Sequence, residues 1–145
     1  MTVYDAKIPL LIEAHEGRMR KMYKCSAGFN TIGVGHNLDA NVLTDRAIDV
    51  ILVEDIRQVE MDLDRCLPWW RNESDSRRAA LVDLCFNLGI QGVLGFRNTL
   101  HAWMNRDYEA AARGLENSKW HGQVGRRAPR IEHMVRTGMW PEELR

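Results

Sequence analysis

A stripe of apolar residues at helical spacing constrains the fold of this chain more than any other feature of the sequence. Its members are Ile48, Ile51, Leu52, Ile56, Val59, Leu63 and Cys66. Thr44 is a candidate N-cap, and Pro68 predicts the end of the helix. Such a helix spans roughly 30 Å at about 1.5 Å per residue. That is long for 145 residues, so we expect a strut between two lobes.

The residues before this helix predict a short helix and then a β-hairpin. Apolar spacing over 8–15 indicates a helix with Asp5 as its cap, Pro9 in its first turn and Gly17 as its stop. Strand-forming residues in 22–23 and 29–34 flank a turn at 26–28.

Two glycines, Gly33 and Gly35, fall inside the returning strand of this hairpin. Glycine in a strand is typical of a bulge or of a place where another group comes very near the backbone. We therefore expect a second backbone or a ligand to approach closely there.

The rest of the chain is predicted to form further helices. One should begin at Asn72 or Ser74 and end at Gly89, and shorter ones are predicted at 93–96, 99–105, 108–117 and 126–136. The fold class is therefore α+β and mostly helical, with one small N-terminal hairpin.

Composition limits the classes of function. Apolar residues make up 45% and charged residues 28%, which is typical of a globular domain. Basic and acidic residues number 20 each, so nothing indicates a nucleic-acid partner. The stretch 113–136 nevertheless has six basic and two acidic residues, a net charge of +4. It is either a solvated helix face or a surface that attracts an anionic polymer.

The cysteines and histidines indicate the compartment of synthesis and whether a metal site is present. Three cysteines, Cys25, Cys66 and Cys85, make a disulfide scaffold improbable and favour synthesis in a reducing compartment. The histidines lack a metal-ligand spacing, so we predict no metal site. The N-terminal residues contain no long apolar run, so we expect no general secretory export and no membrane insertion.

Three chemically useful side chains surround the predicted hairpin. Glu16 precedes it, Cys25 lies near its turn, and Thr31 lies on the returning strand. At the C-terminal end of a helix, a carboxyl group faces the negative end of the helix dipole, which favours the protonated form that a general acid needs. Each residue also has an ordinary interpretation: a surface glutamate, a small buried hydrophobe and a structural threonine.

The same residues carry a resemblance to a known family. Glu16, eight intervening residues, Cys25, five intervening residues and Thr31 match the signature of the phage-type lysozymes, or endolysins, in which the second position is Asp or Cys. The resemblance extends over nearly the whole chain. Further matching segments are Tyr23-Lys24, Gly28, 31–36, 86–89, 92–100, 118–120 and 136–140.

This resemblance implies a single lysozyme-like domain over 1–145. An N-terminal lobe of about 1–45 and a C-terminal lobe of about 67–145 would be joined by the helix at about 45–66, with the substrate cleft between the lobes. The implied reaction is hydrolysis of the β-1,4 bond between N-acetylmuramic acid and N-acetylglucosamine in peptidoglycan, without a cofactor.

The resemblance also implies catalytic roles. Glu16 looks like the general acid, Thr31 like the residue that positions water, and Cys25 like the second group. A thiol is mostly neutral at pH 7, although basic residues in 20–24 could favour the thiolate. Three roles for Cys25 remain open: a base for water with inversion, a nucleophile with retention, or a residue that only orders water.

Other positions align with substrate contacts of the family. These are Phe86, Thr99, Asn37 and Gly114. Gly114 has no side chain where a relative has an amide, so only a backbone contact could exist there. Phe86 could equally be a core residue.

His36 supports a competing interpretation. Cys25 and His36 could form the dyad of a cysteine hydrolase. The family suggests instead that His36 is structural and bonds to a carboxylate of the long helix, with Asp55 as the expected partner.

The resemblance finally implies a biological setting. We expect an endolysin that is monomeric, accumulates in the cytoplasm of the host bacterium, and needs a holin to reach peptidoglycan in the periplasm. Alternatives are a non-catalytic peptidoglycan-binding module and a tail-associated or prophage-derived enzyme with the same chemistry.

Overall fold

The computed structural model describes residues 1–145 and contains seven α-helices and one three-stranded sheet. This confirms the mostly helical α+β class. The elements are α1 Val3–Glu16, β1 Met19–Lys24, β2 Asn30–Gly33, β3 His36–Asn37, α2 Asp45–Cys66, α3 Asp75–Leu94, α4 Arg97–Met104, α5 Tyr108–Glu116, α6 Lys119–Gln123 and α7 Arg127–Thr137, with 3₁₀ turns at Pro68–Asn72 and Glu142–Leu144.

The chain divides into two compact units, Met1–Val50 and Ile51–Arg145. We refer to them as unit 1 and unit 2. The boundary falls inside α2, whose predicted extent and Thr44 cap are confirmed: the Ala47 amide donates to Thr44 Oγ1 at 3.2 Å. The organisation into one lysozyme-like domain with a cleft stays a prediction.

In unit 1, α1 begins earlier than the sequence analysis predicts. Thr2 is the N-cap: its hydroxyl accepts from the Asp5 amide at 3.1 Å, and Asp5 Oδ2 accepts from the Thr2 amide at 2.8 Å. The prediction of Asp5 as the cap was wrong because this reciprocal capping box starts the helix at Val3. As a result, Pro9 lies inside the helix and not in its first turn.

The sheet of unit 1 is antiparallel with the order β1-β2-β3. Tyr23 pairs with Thr31, and Thr31 pairs with Asn37, so Thr31 occupies the central strand. The hairpin was predicted, but β3 was not, because two residues are too few to show an alternating pattern.

Unit 2 holds the apolar core. The buried apolar side chains that form the core all lie between Leu63 and Val135, and they include Trp70 and Trp103. Gly89 ends the first helical run of α3, as predicted, because its φ of 73° and ψ of 162° are not helical. The prediction of a separate helix at 93–96 was wrong in its bounds, since a second helical run follows Gly89 directly and ends at Leu94. The short helix α6 was not predicted.

The other predicted helices, α4, α5 and α7, occur within two residues of their expected bounds. No single helix combines the length and apolar character needed to cross a membrane. Taken together, α3 and α4 meet that criterion by length and composition, but the pair is bent by 107°.

Candidate active site

Glu16 is the last residue of α1, as predicted, and it lies against the turn between β2 and β3. A Cβ atom built on Gly35 would lie 2.9 Å from Glu16 Oε2, and Gly35 has φ 68°. The positive φ favours glycine at this position, and the missing side chain leaves room for the Glu16 carboxyl. The close approach predicted at the strand glycines is real at Gly35, but the approaching group is a carboxyl side chain.

An ion pair spans the end of α1. Arg18 Nε donates to Glu13 Oε1 at 2.6 Å, and Arg18 Nη2 donates to Glu13 Oε2 at 3.0 Å. The hydrogen bond from Arg18 lowers the pKa of Glu13, and the same bond raises the pKa of Arg18. The sequence analysis missed this pair, since two opposite charges five residues apart meet only if the chain reverses at Gly17.

Cys25 begins the turn that closes the β1–β2 hairpin. Its amide donates to the Phe29 carbonyl at 3.0 Å, and its carbonyl accepts from the Gly28 amide at 2.8 Å. Because Tyr23 pairs with Thr31 and side chains alternate along a strand, Cys25 and Thr31 lie on the same face of the hairpin as diagonal neighbours. The structure thus brings together two of the three predicted catalytic residues.

The turn lowers the pKa of the Cys25 thiol. The largest cause is the Phe29 amide; desolvation opposes it, and the Ala27 amide, the Thr31 hydroxyl and the Gly28 amide lower the pKa further. Backbone N–H groups stabilise a thiolate because they donate to its negative charge. The basic residues in 20–24, which we expected to favour the thiolate, are not among the causes.

Thr31 is 3% exposed, and its hydroxyl donates to the Phe29 carbonyl at 2.9 Å. A hydroxyl has one hydrogen to donate and two lone pairs that accept. The hydrogen of Thr31 can therefore serve either the Phe29 carbonyl or the Cys25 thiolate, while the oxygen stays able to accept from a water molecule.

Asn37 lies directly opposite Thr31 across the sheet. Its Oδ1 accepts from the amides of Asp39 and Ala40, both at 3.0 Å, which fixes the loop after β3. The side-chain NH₂ group stays available as a donor. Asn37 therefore stands beside Thr31, and its role as a substrate contact stays a prediction.

His36 Nε2 is buried and has no hydrogen-bond partner. This nitrogen therefore makes no hydrogen bond to Cys25, which weighs against the cysteine-hydrolase dyad. The expected partner Asp55 belongs to unit 2, and the bond between them stays a prediction.

The remaining predicted contacts also lie in unit 2. Phe86 is 43% exposed on α3 and lines a surface cavity of about 390 Å³ together with Asp55, Asp62 and Cys85. This exposure favours a contact role for Phe86 over the core alternative.

Thr99 and Gly114 are neighbours across the contact between α4 and α5. Thr99 is buried, and a Cβ atom on Gly114 would overlap Thr99 Oγ1. The missing side chain at Gly114 therefore makes room for a hydroxyl.

No group of three or more His, Cys, Asp or Glu side chains is arranged to hold a metal ion. The predicted catalytic residues of unit 1 offer a carboxyl, a thiol and a hydroxyl. They can supply a proton, accept a proton and hold water.

Comparison with known proteins decides the family. The family described as phage lysozyme matches residues 13–134, a range that contains every predicted site residue. The chain belongs to the phage lysozyme family. The resemblance inferred from the Glu16, Cys25 and Thr31 spacing is thereby confirmed, and the domain is a glycoside hydrolase of the muramidase class with peptidoglycan as its substrate.

Individual relatives agree with this membership. The chain is 34% identical to an endolysin of Acyrthosiphon pisum secondary endosymbiont phage 1 over 77% of this chain and 75% of the relative. It is 21% identical to a probable T4-type lysozyme of Dictyostelium discoideum, over 88% of this chain and 92% of the relative.

A third relative is much longer. The chain is 26% identical to the pre-baseplate central spike protein of Enterobacteria phage T4 over 88% of this chain. It spans only 27% of that protein's length.

Proposed function

We propose that this protein is an endolysin that cleaves the β-1,4 bond between N-acetylmuramic acid and N-acetylglucosamine, with Glu16 as the general acid. The observation that carries the proposal is the arrangement in unit 1. Glu16 ends α1 against Gly35, and Cys25 shares a hairpin face with Thr31. The similarity to a phage endolysin supports the role in host lysis.

The reaction proceeds by inversion. The Cys25 thiolate takes a proton from a water molecule that Thr31 helps to hold, and the water oxygen forms a bond to the anomeric carbon. Glu16 donates its proton to the glycosidic oxygen as the carbon–oxygen bond breaks. The proton on Cys25 then returns to Glu16 through solvent. The lowered pKa of Cys25 supports this base role, because more thiolate is present near neutral pH.

The test of the acid is Glu16→Gln on purified murein, measured as reducing ends released. Loss of a positioned general acid should lower the rate by about 10²- to 10⁴-fold. Glu54→Gln is the matched control, since Glu54 makes only an exposed ion pair with Arg57 on α2. Wild-type rates from the Glu16 variant would refute the assignment and would leave the binding-module alternative.

The stereochemistry separates the possible roles of Cys25. The product released first should have the anomeric configuration opposite to that of the cleaved bond. NMR during the first turnovers measures this configuration. A retained anomer would instead mean that the sulfur attacks the sugar and forms a thioglycoside. Cys25→Asp separates a glycosidase, which should remain active, from a nucleophilic cysteine hydrolase, which should not.

The biological setting follows from the same proposal. The monomeric protein collects in the host cytoplasm without inserting into the membrane and reaches the wall after a holin permeabilises that membrane. Expression in bacteria should reduce culture turbidity only when a holin is co-expressed. Lysis without a holin would contradict this route.

A second candidate is a lytic domain of a virion, which the similarity to the central spike protein supports. The chemistry of the site would be the same. Detection of the chain in purified virions would favour this candidate over the endolysin.

A further inference from the structure

We infer that the Glu13–Arg18 ion pair positions the Glu16 carboxyl, so that both residues act on the reaction through Glu16. The inference rests on the proposed role of Glu16 as the acid.

The first observation concerns the joint between α1 and β1. The chain leaves α1 through Gly17, which has φ 76° and ψ 176°. Nothing lies within 4 Å of the place where a Cβ atom of Gly17 would be. A glycine in open space has wide conformational freedom, so its own packing does not fix the direction of the chain. The orientation of Glu16 relative to β1 therefore needs contacts from other residues.

Glu13 supplies contacts on both sides of that joint. Its carbonyl accepts from the Gly17 amide at 2.8 Å, and its carboxylate accepts the two parallel hydrogen bonds from Arg18. A bidentate guanidinium–carboxylate pair fixes direction as well as distance. Glu13 is also three residues before Glu16 and therefore its neighbour on the helix surface.

On its other side, Glu16 lies next to the β2–β3 turn. Its Oε2 is 2.9 Å from the position that a Cβ atom on Gly35 would occupy, and the residue is otherwise exposed. A rotation at Gly17 would therefore move the carboxyl further over Gly35 or withdraw it from the turn. The ion pair across Gly17 opposes both movements.

The ion pair is a poor candidate for a purely stabilising role. Its side chains are 69% exposed at Arg18 and 33% exposed at Glu13. Exposed pairs contribute little to global stability because water and salt screen them. Precise placement of a reacting group, in contrast, can change a rate by a hundredfold for about 1 Å of displacement.

The experiment compares Glu13→Gln, Arg18→Gln and the charge-swapped double variant Glu13→Arg/Arg18→Glu. Each single variant should lower kcat on soluble glycan chains about tenfold with KM unchanged, and the melting temperature should change by less than about 3 °C. The swapped variant should recover most of the lost kcat, because the ion pair re-forms. Glu54→Gln, which breaks the Glu54–Arg57 pair on α2, should leave kcat at the wild-type value.

Three outcomes would overturn the inference. They are wild-type kcat in both single variants, failure of the charge swap to restore kcat, and a fall in kcat that only follows a large loss of melting temperature. Glu16→Gln measured alongside keeps the two proposals distinguishable. If that variant is inactive while the ion-pair variants are fully active, only the positioning role fails; if it is active, the proposed acid fails as well.

Discussion

At the scale of the residue, the unusual group of the site is the thiol of Cys25. A turn in which backbone amides and a hydroxyl donate toward one sulfur favours negative charge there without a basic side chain. An aspartate at this position would be ionised at neutral pH without such help. The ionisation of the Cys25 thiol therefore depends on the hydrogen bonds of its turn, whereas the ionisation of a carboxylate would not.

This dependence predicts the pH profile. A base must be deprotonated, so activity should rise with pH through the pKa of Cys25, and a lowered pKa moves this rise toward neutral pH. In Cys25→Asp the rise should move to much lower pH, because an aspartate has a reference pKa near 3.9. Cys25→Ser should lower the initial rate by about 10²-fold or more. The measurement is the initial rate on murein across pH.

Cys66→Ser is the matched control for this experiment. Cys66 is a partly buried thiol of unit 2 and should leave the profile unchanged. A wild-type profile in Cys25→Asp would show that the sulfur is not the titrating base.

Single residues differ in how far the sequence could predict them. Glu16, Cys25 and Thr31 were predicted from their match to the family signature, and the shared face of Cys25 and Thr31 follows from the hairpin. The sequence singled out Gly35 as a glycine of the predicted returning strand, but it did not show that the Glu16 carboxyl approaches it or that it lies in the turn after β2. The Glu13–Arg18 pair could not be predicted, because it depends on the direction the chain takes after a glycine.

At the scale of the element, sequence periodicity predicted α2 well and predicted boundaries less well. The N-terminus of α1 was wrong because two side chains satisfied each other's backbone amides three residues earlier than expected. The stop predicted at Gly89 agrees with its non-helical φ of 73° and ψ of 162°. The bounds predicted for the next helix were wrong because the second helical run follows Gly89 directly and brings Val93 into the core.

The contact between α4 and α5 makes a testable prediction. Gly114→Ala should destabilise unit 2 by about 1–3 kcal/mol, because the new methyl group overlaps Thr99 Oγ1 in a packed interior. Thr99→Ala removes that oxygen, so the double variant should be more stable than the sum of the single effects implies. Chemical denaturation followed by tryptophan fluorescence measures all three free energies of unfolding.

Gly122→Ala provides the control for this cycle. Gly122 lies in α6 with nothing within 4 Å of its missing Cβ atom, so the substitution should stabilise by about 0.4–1 kcal/mol. Equal effects of alanine at Gly114 and Gly122 would show that the overlap with Thr99 has no energetic consequence.

At the scale of the whole molecule, the two units contribute differently. The buried apolar side chains all belong to unit 2, whereas Thr31 is the one fully buried residue of unit 1. The proposed acid and base therefore belong to the unit with no apolar core of its own. Elements with few buried apolar contacts can open without global unfolding, so we expect local opening at these groups.

This asymmetry predicts how fragments of the chain behave. The fragment 51–145 keeps every core residue and should unfold cooperatively in denaturant. The fragment 1–50 should be unfolded, because a three-stranded sheet and one helix without buried apolar side chains cannot offset the conformational entropy of about fifty residues. Circular dichroism measures both. A folded 1–50 fragment would contradict the prediction.

The same asymmetry should appear in the intact chain. All five tryptophans lie in unit 2, so their fluorescence reports on that unit alone. Hydrogen exchange of the β1–β2 amides should therefore occur at denaturant concentrations where tryptophan fluorescence is still native, since opening the hairpin exposes almost no core. Simultaneous loss of both signals would mean that unit 1 opens only when the core of unit 2 unfolds. In that case the stability of the site residues would be set by the helical core and not by the hairpin that carries them.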